Sequence, residues 1–277
     1  MRIITVAICL AVVSGCLVAA HADGATATAN AQIYNQAGYA LMERMQFAQA
    51  IPYFREAIQL DPTDEPAQRN LCRALYQTQQ TTEAANVCFA AIKLNPRDPY
   101  AYAYAADALA AVGYYRQAIE YANDAVTIQP SDAFLSANCG DILVSAARYR
   151  DAVKMYEYSL KVESHYSVAY NGLGEVYLRT RFPVVAVQYF RKALDAEPRY
   201  ALAHYNLGMA LIETGHQDAA RSEFALAAKG NDPVVAAQAK SMLSFHIAPG
   251  PGPTPPASSH KKAITPFRGP IHRPVAI

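Results

Sequence analysis

Residues 34–62 read YNQAGYALMERMQFAQAIPYFREAIQLDP. Tyr34, Ala37, Gly38 and Leu41 recur at the three- and four-residue steps that place side chains on one face of an α-helix. Ala50, Phe54 and Ala57 share one face of a second helix in the same way. The small residues Gly38, Ala50 and Ala57 permit close approach of the two, and Phe54 fills the space beside them. Pro62 ends the second helix, because proline pushes the residue before it out of the helical region. The segment is predicted to be a helical hairpin.

The hairpin recurs along the chain. Blocks of 34 residues starting at 31, 65, 99, 133, 167 and 201 run without insertion to 234. Position 20 of the blocks is Ala50, Ala84, Ala118, Ala152, Ala186 and Ala220. Position 27 is Ala57, Ala91, Ala125, Ser159, Ala193 and Ala227. Position 8 is Gly38, Cys72, Ala106, Gly140, Gly174 and Gly208. Position 11 is Leu41, Leu75, Leu109, Leu143, Tyr177 and Leu211. Pro62, Pro96, Pro130 and Pro198 punctuate the ends of blocks. A fixed period of this length marks a repeat array in which each unit buries its apolar face against its neighbours.

The pattern resembles the tetratricopeptide repeat family. Tyr34, Ala37-Gly38, Leu41, Ala50, Phe54, Ala57 and Pro62 match the family's signature, as do Tyr170, Leu173-Gly174, Tyr177, Ala186, Phe190, Ala193 and Pro198. Departures are local: Ser164 stands where Pro is expected, Pro233 comes one place late after Asp232, and Gln68 replaces an aromatic. The resemblance implies an all-α, right-handed superhelical solenoid of six helix-turn-helix hairpins, 31–64, 65–98, 99–132, 133–166, 167–200 and 201–234. Pro233 to Phe245 reads as one more helix, and 235–245 is expected to cap the array. There Val235, Ala239, Met242 and Leu243 share a face, with Gln238, Lys240 and Ser241 off it.

Both ends differ from the repeats. Met1-Arg2 is a positive start, Ile3–Ala20 has no charge, and Ala20-His21-Ala22 has the small-x-small form of a signal-peptidase site. Residues 1–22 therefore read as a signal peptide and 23–30 as a linker. Two alternatives compete. Val13-Ser14-Gly15-Cys16 resembles a bacterial lipobox, which makes Cys16 a lipidation candidate, and the apolar run is just long enough to persist as an anchor. All three place the rest of the chain on the exported side: periplasmic or secreted, or lipid-anchored at the outer membrane. Membrane contact is expected only through such a lipid or anchor. Residues 246–277 are expected to be a disordered, Pro-rich basic tail, with Lys261, Lys262, Arg268 and Arg273 and no Asp or Glu.

In proteins resembling this one, the first helix of each hairpin lines a concave groove that binds protein or peptide. The residues so placed are Tyr39, Met42, Arg69, Asn70, Arg73, Tyr76, Tyr104, Asp107, Asn138, Asp141, Asn171, Glu175, Tyr205 and Asn206. Asn70, Asn138 and Asn206 recur at position 6 and resemble an asparagine ladder. An amide offers donor and acceptor to a peptide backbone, though solvated or capping Asn would read the same. Asp107, Asp141 and Glu175 form an acidic stripe whose members, on helices about 8–10 Å apart, sit too far from one another to share a metal. A basic ligand would suit them, and the tail itself could compete for the stripe. A solvated acidic face is the plain alternative. Arg69 and Arg73 lie one turn apart and could hold a carboxylate or phosphate, or be ordinary surface arginines. The clamp with which some relatives hold chaperone C-termini wants basic residues where Asn35 and Ala103 stand, so a chaperone-adaptor role is not expected.

Cys72 and Cys88 occupy the packing positions 8 and 24 of one hairpin. They read either as two small buried hydrophobes, the plainer reading, or as a disulfide. No Cys or His spacing suits zinc, and His165, His204 and His216 have no partners at triad spacing. With 24 basic and 23 acidic residues there is no electrostatic footprint for nucleic acid. The expectation is an exported, non-enzymatic scaffold for protein or peptide, without cofactor or metal. One alternative is an outer-membrane lipoprotein assisting secretion or type IV pilus pore assembly, as pilotin-like proteins resemble this layout. The other is an accessory subunit of an envelope enzyme.

Overall fold

The computed structural model describes residues 24–245, which form thirteen α-helices, with no strand among the described residues. The expected signal peptide, Cys16 and the tail 246–277 lie outside the described residues. Five hairpins are α1 (Gly24–Glu43) with α2 (Phe47–Leu60), α3 (Glu65–Gln77) with α4 (Thr81–Leu94), α5 (Pro99–Ala111) with α6 (Tyr115–Ile128), α7 (Ala133–Ser145) with α8 (Tyr149–Val162), and α9 (Ser167–Arg179) with α10 (Pro183–Ala196). The sixth is α11 (Ala201–Glu213) with α12 (Gln217–Ala227), and α13 (Pro233–Phe245) packs on both of its helices.

Two expectations are corrected. Residues 24–30 are the start of α1 and no linker. Their sequence GATATAN alternates alanine with small polar residues and contains no proline, so nothing stops the helix from running back. The capping helix begins at Pro233 and not at 235, because Asp232 caps it by accepting from the Val234 and Val235 N–H groups.

Positions 8 and 24 come together in the hairpins. A Cβ on Gly38, Gly140, Gly174 or Gly208 would press on the ring of Phe54, Tyr156, Phe190 or Phe224. The aromatic ring occupies the volume that glycine vacates. In the third hairpin both positions are alanine, Ala106 and Ala122, each buried. In the second, Cys72 and Cys88 meet at the same point and are joined as a disulfide across a Cα–Cα distance of 5.3 Å. The plainer reading of two free thiols therefore gives way. Helices held this close by small neighbours bring the two Cβ atoms within bonding range.

The turn inside every hairpin also repeats. Position 15 holds Met45, Gln79, Gly113, Ala147, Arg181 and Gly215, and all six have positive φ, between 58° and 88°. Only two are glycine, so four hairpins hold a side chain in the left-handed region, which costs about 1–2 kcal/mol each. Ala147→Gly is expected to raise stability by about 0.5–1 kcal/mol, and Gly113→Ala to lower it by a similar amount, measured by urea denaturation.

Candidate functional site

Each first helix touches the first helices before and after it, from α1–α3 through to α11–α13. Among the described residues the backbones of successive second helices stay farther apart and meet through long side chains, as Arg55 does with Glu83 and Phe89 with Tyr121. A row in mutual contact beside a row splayed apart bends the array, with the contacting row on the inside. The inner surface is therefore built from the odd-numbered helices, the ones that carry the fourteen groove candidates.

Those candidates separate into two groups. Tyr39 (42% exposed), Arg69, Arg73, Tyr76, Tyr104, Asp141, Glu175, Tyr205 and Asn206 keep part of their surface open. Met42 is 4% exposed and packs with Phe54, Leu71 and Leu75, so it belongs to the core. Asn70, Asp107, Asn138 and Asn171 are buried as well. For these the groove assignment is corrected, and the cause is contact between neighbouring hairpins.

The buried amides tie one hairpin to the next. The Asn70 amide donates to Asn35 Oδ1 at 2.9 Å, and the Asn206 amide to Asn171 Oδ1 at 3.0 Å. The Asn138 amide spans both oxygens of Asp107, at 3.0 and 3.1 Å. The position-6 asparagines thus face backward along the array and hold the first helix before them. The acidic stripe is engaged in the same way. Asp107 receives Asn138, Asp141 receives the Tyr156 hydroxyl at 2.6 Å, and Glu175 pairs with Arg179 at 2.7 Å. Of the arginine pair, Arg69 is bound to Asp98 at 2.8 Å, and Arg73 lies over the Tyr104 ring, 5.9 Å from its centroid.

Tyr156 is the largest fully buried side chain. It stands on α8, a second helix, yet its hydroxyl reaches Asp141 on the inner row. It passes between Gly140 of α7 and Gly172 of α9, where a Cβ on either glycine would strike the ring. Position 24 carries Phe in three hairpins, and only the tyrosine delivers a polar atom through the wall.

Family models described as tetratricopeptide repeat match residues 41–108 and 180–236. The chain belongs to the tetratricopeptide repeat family. The fold is shared with TTC0263, a thermophilic TPR protein of Thermus thermophilus, at 21% identity and TM-score 0.61, over 66% of this chain and 99% of that one. It is also similar to a chain of the APC/C hetero-tetramer Cut9-Hcn1, at 14% identity and TM-score 0.65, over 79% of this chain and 43% of that one. Pseudomonas aeruginosa pilF is similar at 16% identity and TM-score 0.57, over 78% of this chain and 99% of that one. At these identities the likeness is one of fold. No curated protein matches. Tetratricopeptide repeat arrays are scaffolds for protein–protein contact, and that coarse role holds for this chain.

Two junctions of this tetratricopeptide repeat protein join Arg69 and His204 to acids that sequence reading did not single out, namely Glu65, Asp98 and Glu223. Asp98 caps α5 through the Tyr100 N–H and also holds Arg69, which in turn faces Glu65 at 3.6 Å. Burial, and then the neighbouring Asp98 carboxylate, push the Glu65 carboxyl up to about 7. In the last hairpin, His204 Nδ1 faces Glu223 at 2.6 Å and Nε2 faces the Pro198 carbonyl at 3.1 Å. Both partners accept, so the doubly protonated imidazolium satisfies them together. The hydrogen bond to Glu223 raises the His204 pKa against the opposing effect of burial.

The sign is the same at both sites. A raised folded pKa stabilises below the unfolded value and is lost as pH climbs through the folded one. Glu65 acts between 4.5 and about 7, and His204 from 6.5 upward. The melting temperature is therefore expected to fall as pH rises from about 5 through 7, and to go on falling above 7. Glu65→Gln should flatten the lower half of that slope, and His204→Phe, which restores an aromatic, should flatten the upper half. A melting temperature that rises over this range would contradict both assignments.

Proposed function

We propose that the chain is an exported, non-catalytic scaffold that holds an extended polypeptide along its inner surface. The observation that carries this reading is the set of aromatic and charged side chains left partly open there, above all Tyr39, Arg73, Tyr76, Tyr104 and Asp141. Aromatic and arginine side chains are the ones that anchor partners most strongly. Export is supported by the leader, in which a positive Met1-Arg2 start and an uncharged run over 3–20 lead to Ala20-His21-Ala22. It is supported further by the Cys72–Cys88 disulfide, which suits an oxidising compartment.

The test is capture from envelope extract on immobilised full-length protein, in parallel with a Tyr39→Ala, Tyr76→Ala variant of unchanged helicity. A polypeptide held by the first and lost by the second supports the scaffold. Identical capture by both, or none by either, overturns it. A second reading, a lipid-anchored outer-membrane protein assisting secretion or pilus pore assembly, is favoured by Cys16 in its Val13-Ser14-Gly15 setting. The intact mass of the mature protein separates the two: a chain starting at Asp23 supports the first, and an acylated Cys16 the second.

A further inference from the structure

The two edges of the array differ in kind. The turns inside the hairpins share one geometry and line one edge, and the connections between hairpins line the other. Positions 31–34 of the blocks form the connection edge, with seven acidic residues against Arg97 and Arg199. Asp64, Asp98, Asp132 and Asp232 there cap the helices that follow, and Asp98 also holds Arg69. Before α9 and α11 the cap gives way to Tyr166 and Tyr200, but Glu163 and Glu197, three residues earlier, keep the edge acidic.

The turn edge is basic and apolar in the middle of the array. Residues 112–116, 146–150 and 180–184 hold Arg116, Arg148, Arg150 and Arg181 and no acid. Arg116 pairs with Glu120 and Arg148 with Asp151, on the second helices just beyond. Arg150 and Arg181 are exposed and have no partner among the described residues. The third and fifth of these turns also project apolar side chains into solvent. Val184 is 64% exposed, Tyr114 62% and Phe182 59%, the three highest values among the large apolar side chains described. The fold does not require them. Gln46, Gln80 and His216 stand where Tyr114 and Phe182 do, and their turns close with the same positive φ.

Tyr114 and Phe182 are two hairpins apart, about 16–20 Å at 8–10 Å per helix, and Arg148 holds the same position between them. A ridge of separate tips suits a flat, yielding surface better than it suits a shaped pocket. Aromatic rings settle at the boundary between hydrocarbon and headgroups, and guanidinium groups pair with phosphate. An anionic surface would attract this edge and repel the acidic one, so the charge difference sets a single orientation.

Going beyond the inner-surface reading, we infer that the turn edge of the third to fifth hairpins docks on an anionic lipid bilayer. Tyr114, Phe182 and Val184 enter the interface, and Arg150 and Arg181 meet lipid phosphates. The contact belongs to the folded array and is separate from any made by residues 1–22. The inner surface is lined by helix faces and stays open to polypeptide.

The chain contains no tryptophan, so Tyr114→Trp introduces a single fluorescent reporter. The full-length protein is mixed with vesicles of phosphatidylglycerol and phosphatidylcholine that carry bromine on their acyl chains as quencher. Emission of the Tyr114→Trp protein should move to the blue. Its quenching should be about fivefold greater than that of a His165→Trp protein, whose reporter lies on the acidic edge and is equally exposed to solvent. Both proteins carry the same leader, so anchoring by residues 1–22 does not account for the difference. Each basic residue at an anionic surface is worth about fivefold in affinity, so quenching should fall by about that factor with Arg150→Gln and Arg181→Gln added. It should fall similarly on phosphatidylcholine alone. A Phe182→Trp protein repeats the reading from the second tip. Equal quenching at the two edges, or quenching unmoved by loss of the arginines, would overturn the proposal. So would a blue shift that appears without vesicles and grows with protein concentration, which would assign the edge to a second copy of the chain.

Discussion

Gly172→Ala is expected to destabilise the protein by about 2–3 kcal/mol, the upper part of the range for overpacking a filled core. Helix propensity alone predicts the opposite, since alanine in place of a mid-helix glycine gains about 1 kcal/mol. The deciding fact is the Tyr156 ring. A Cβ at Gly172 would overlap its Cε1 and Cζ and lie 2.8 Å from its hydroxyl oxygen. The ring cannot retreat, because Gly140 presses on its other side and the side chain is fully buried. Tyr156→Ala should itself cost about 3–5 kcal/mol as a large-to-small change. In that background Gly172→Ala should become neutral or mildly stabilising. Urea denaturation of the four proteins gives the coupling, and additive effects would show that the ring does not pass between these helices.

Asn138→Ala is expected to cost about 2–3 kcal/mol, in the range for a buried hydrogen bond to a charged group. Asn138 is 2% exposed and its partner Asp107 5%, so truncation leaves a carboxylate in the interior without its amide. Asn206→Ala should cost about 1 kcal/mol or less, since its partner Asn171 is neutral and Asn206 itself is partly open. A peptide-binding asparagine would show the reverse order, with stability kept and affinity lost. Thermal melts of both variants decide between these roles.

The contrast marks what could be read from the residues alone. Columns such as Ala50, Ala84 and Ala118 fall in phase because every hairpin needs the same small residue at the same contact, so periodicity exposed the fold. The placing of the odd helices on the inner surface came from the resemblance to the tetratricopeptide repeat family. Contacts between hairpins follow a column only in part. Asn70 and Asn206 each reach back 35 residues, to Asn35 and Asn171, whereas Asn138 reaches back 31 to Asp107, and the position-6 column alone does not tell the two apart. The path of Tyr156 depends on Gly172, which stands in a column otherwise filled by Gln36, Asn70, Tyr104, Asn138 and Asn206. A lone glycine there looks like variation until the neighbouring ring is in view. The exchange of Asp132 for Tyr166 and Tyr200 at the helix starts was visible in the sequence. It means something only once Asp64, Asp98 and Asp132 are seen to cap.

The bond between Cys72 and Cys88 has a mechanical side. A chain drawn out from its end, by an instrument or by an unfolding motor, normally yields its whole contour. Here the 16-residue interval between the two cysteines stays a closed loop, worth about 50–55 Å of missing extension at roughly 3.6 Å per residue. A motor that threads a single strand would meet a doubled one at the second hairpin, with the first hairpin on one side and four more on the other. Reduction would restore the full contour, so the length released under force, or the point where threading stalls, reports the oxidation state of that single pair.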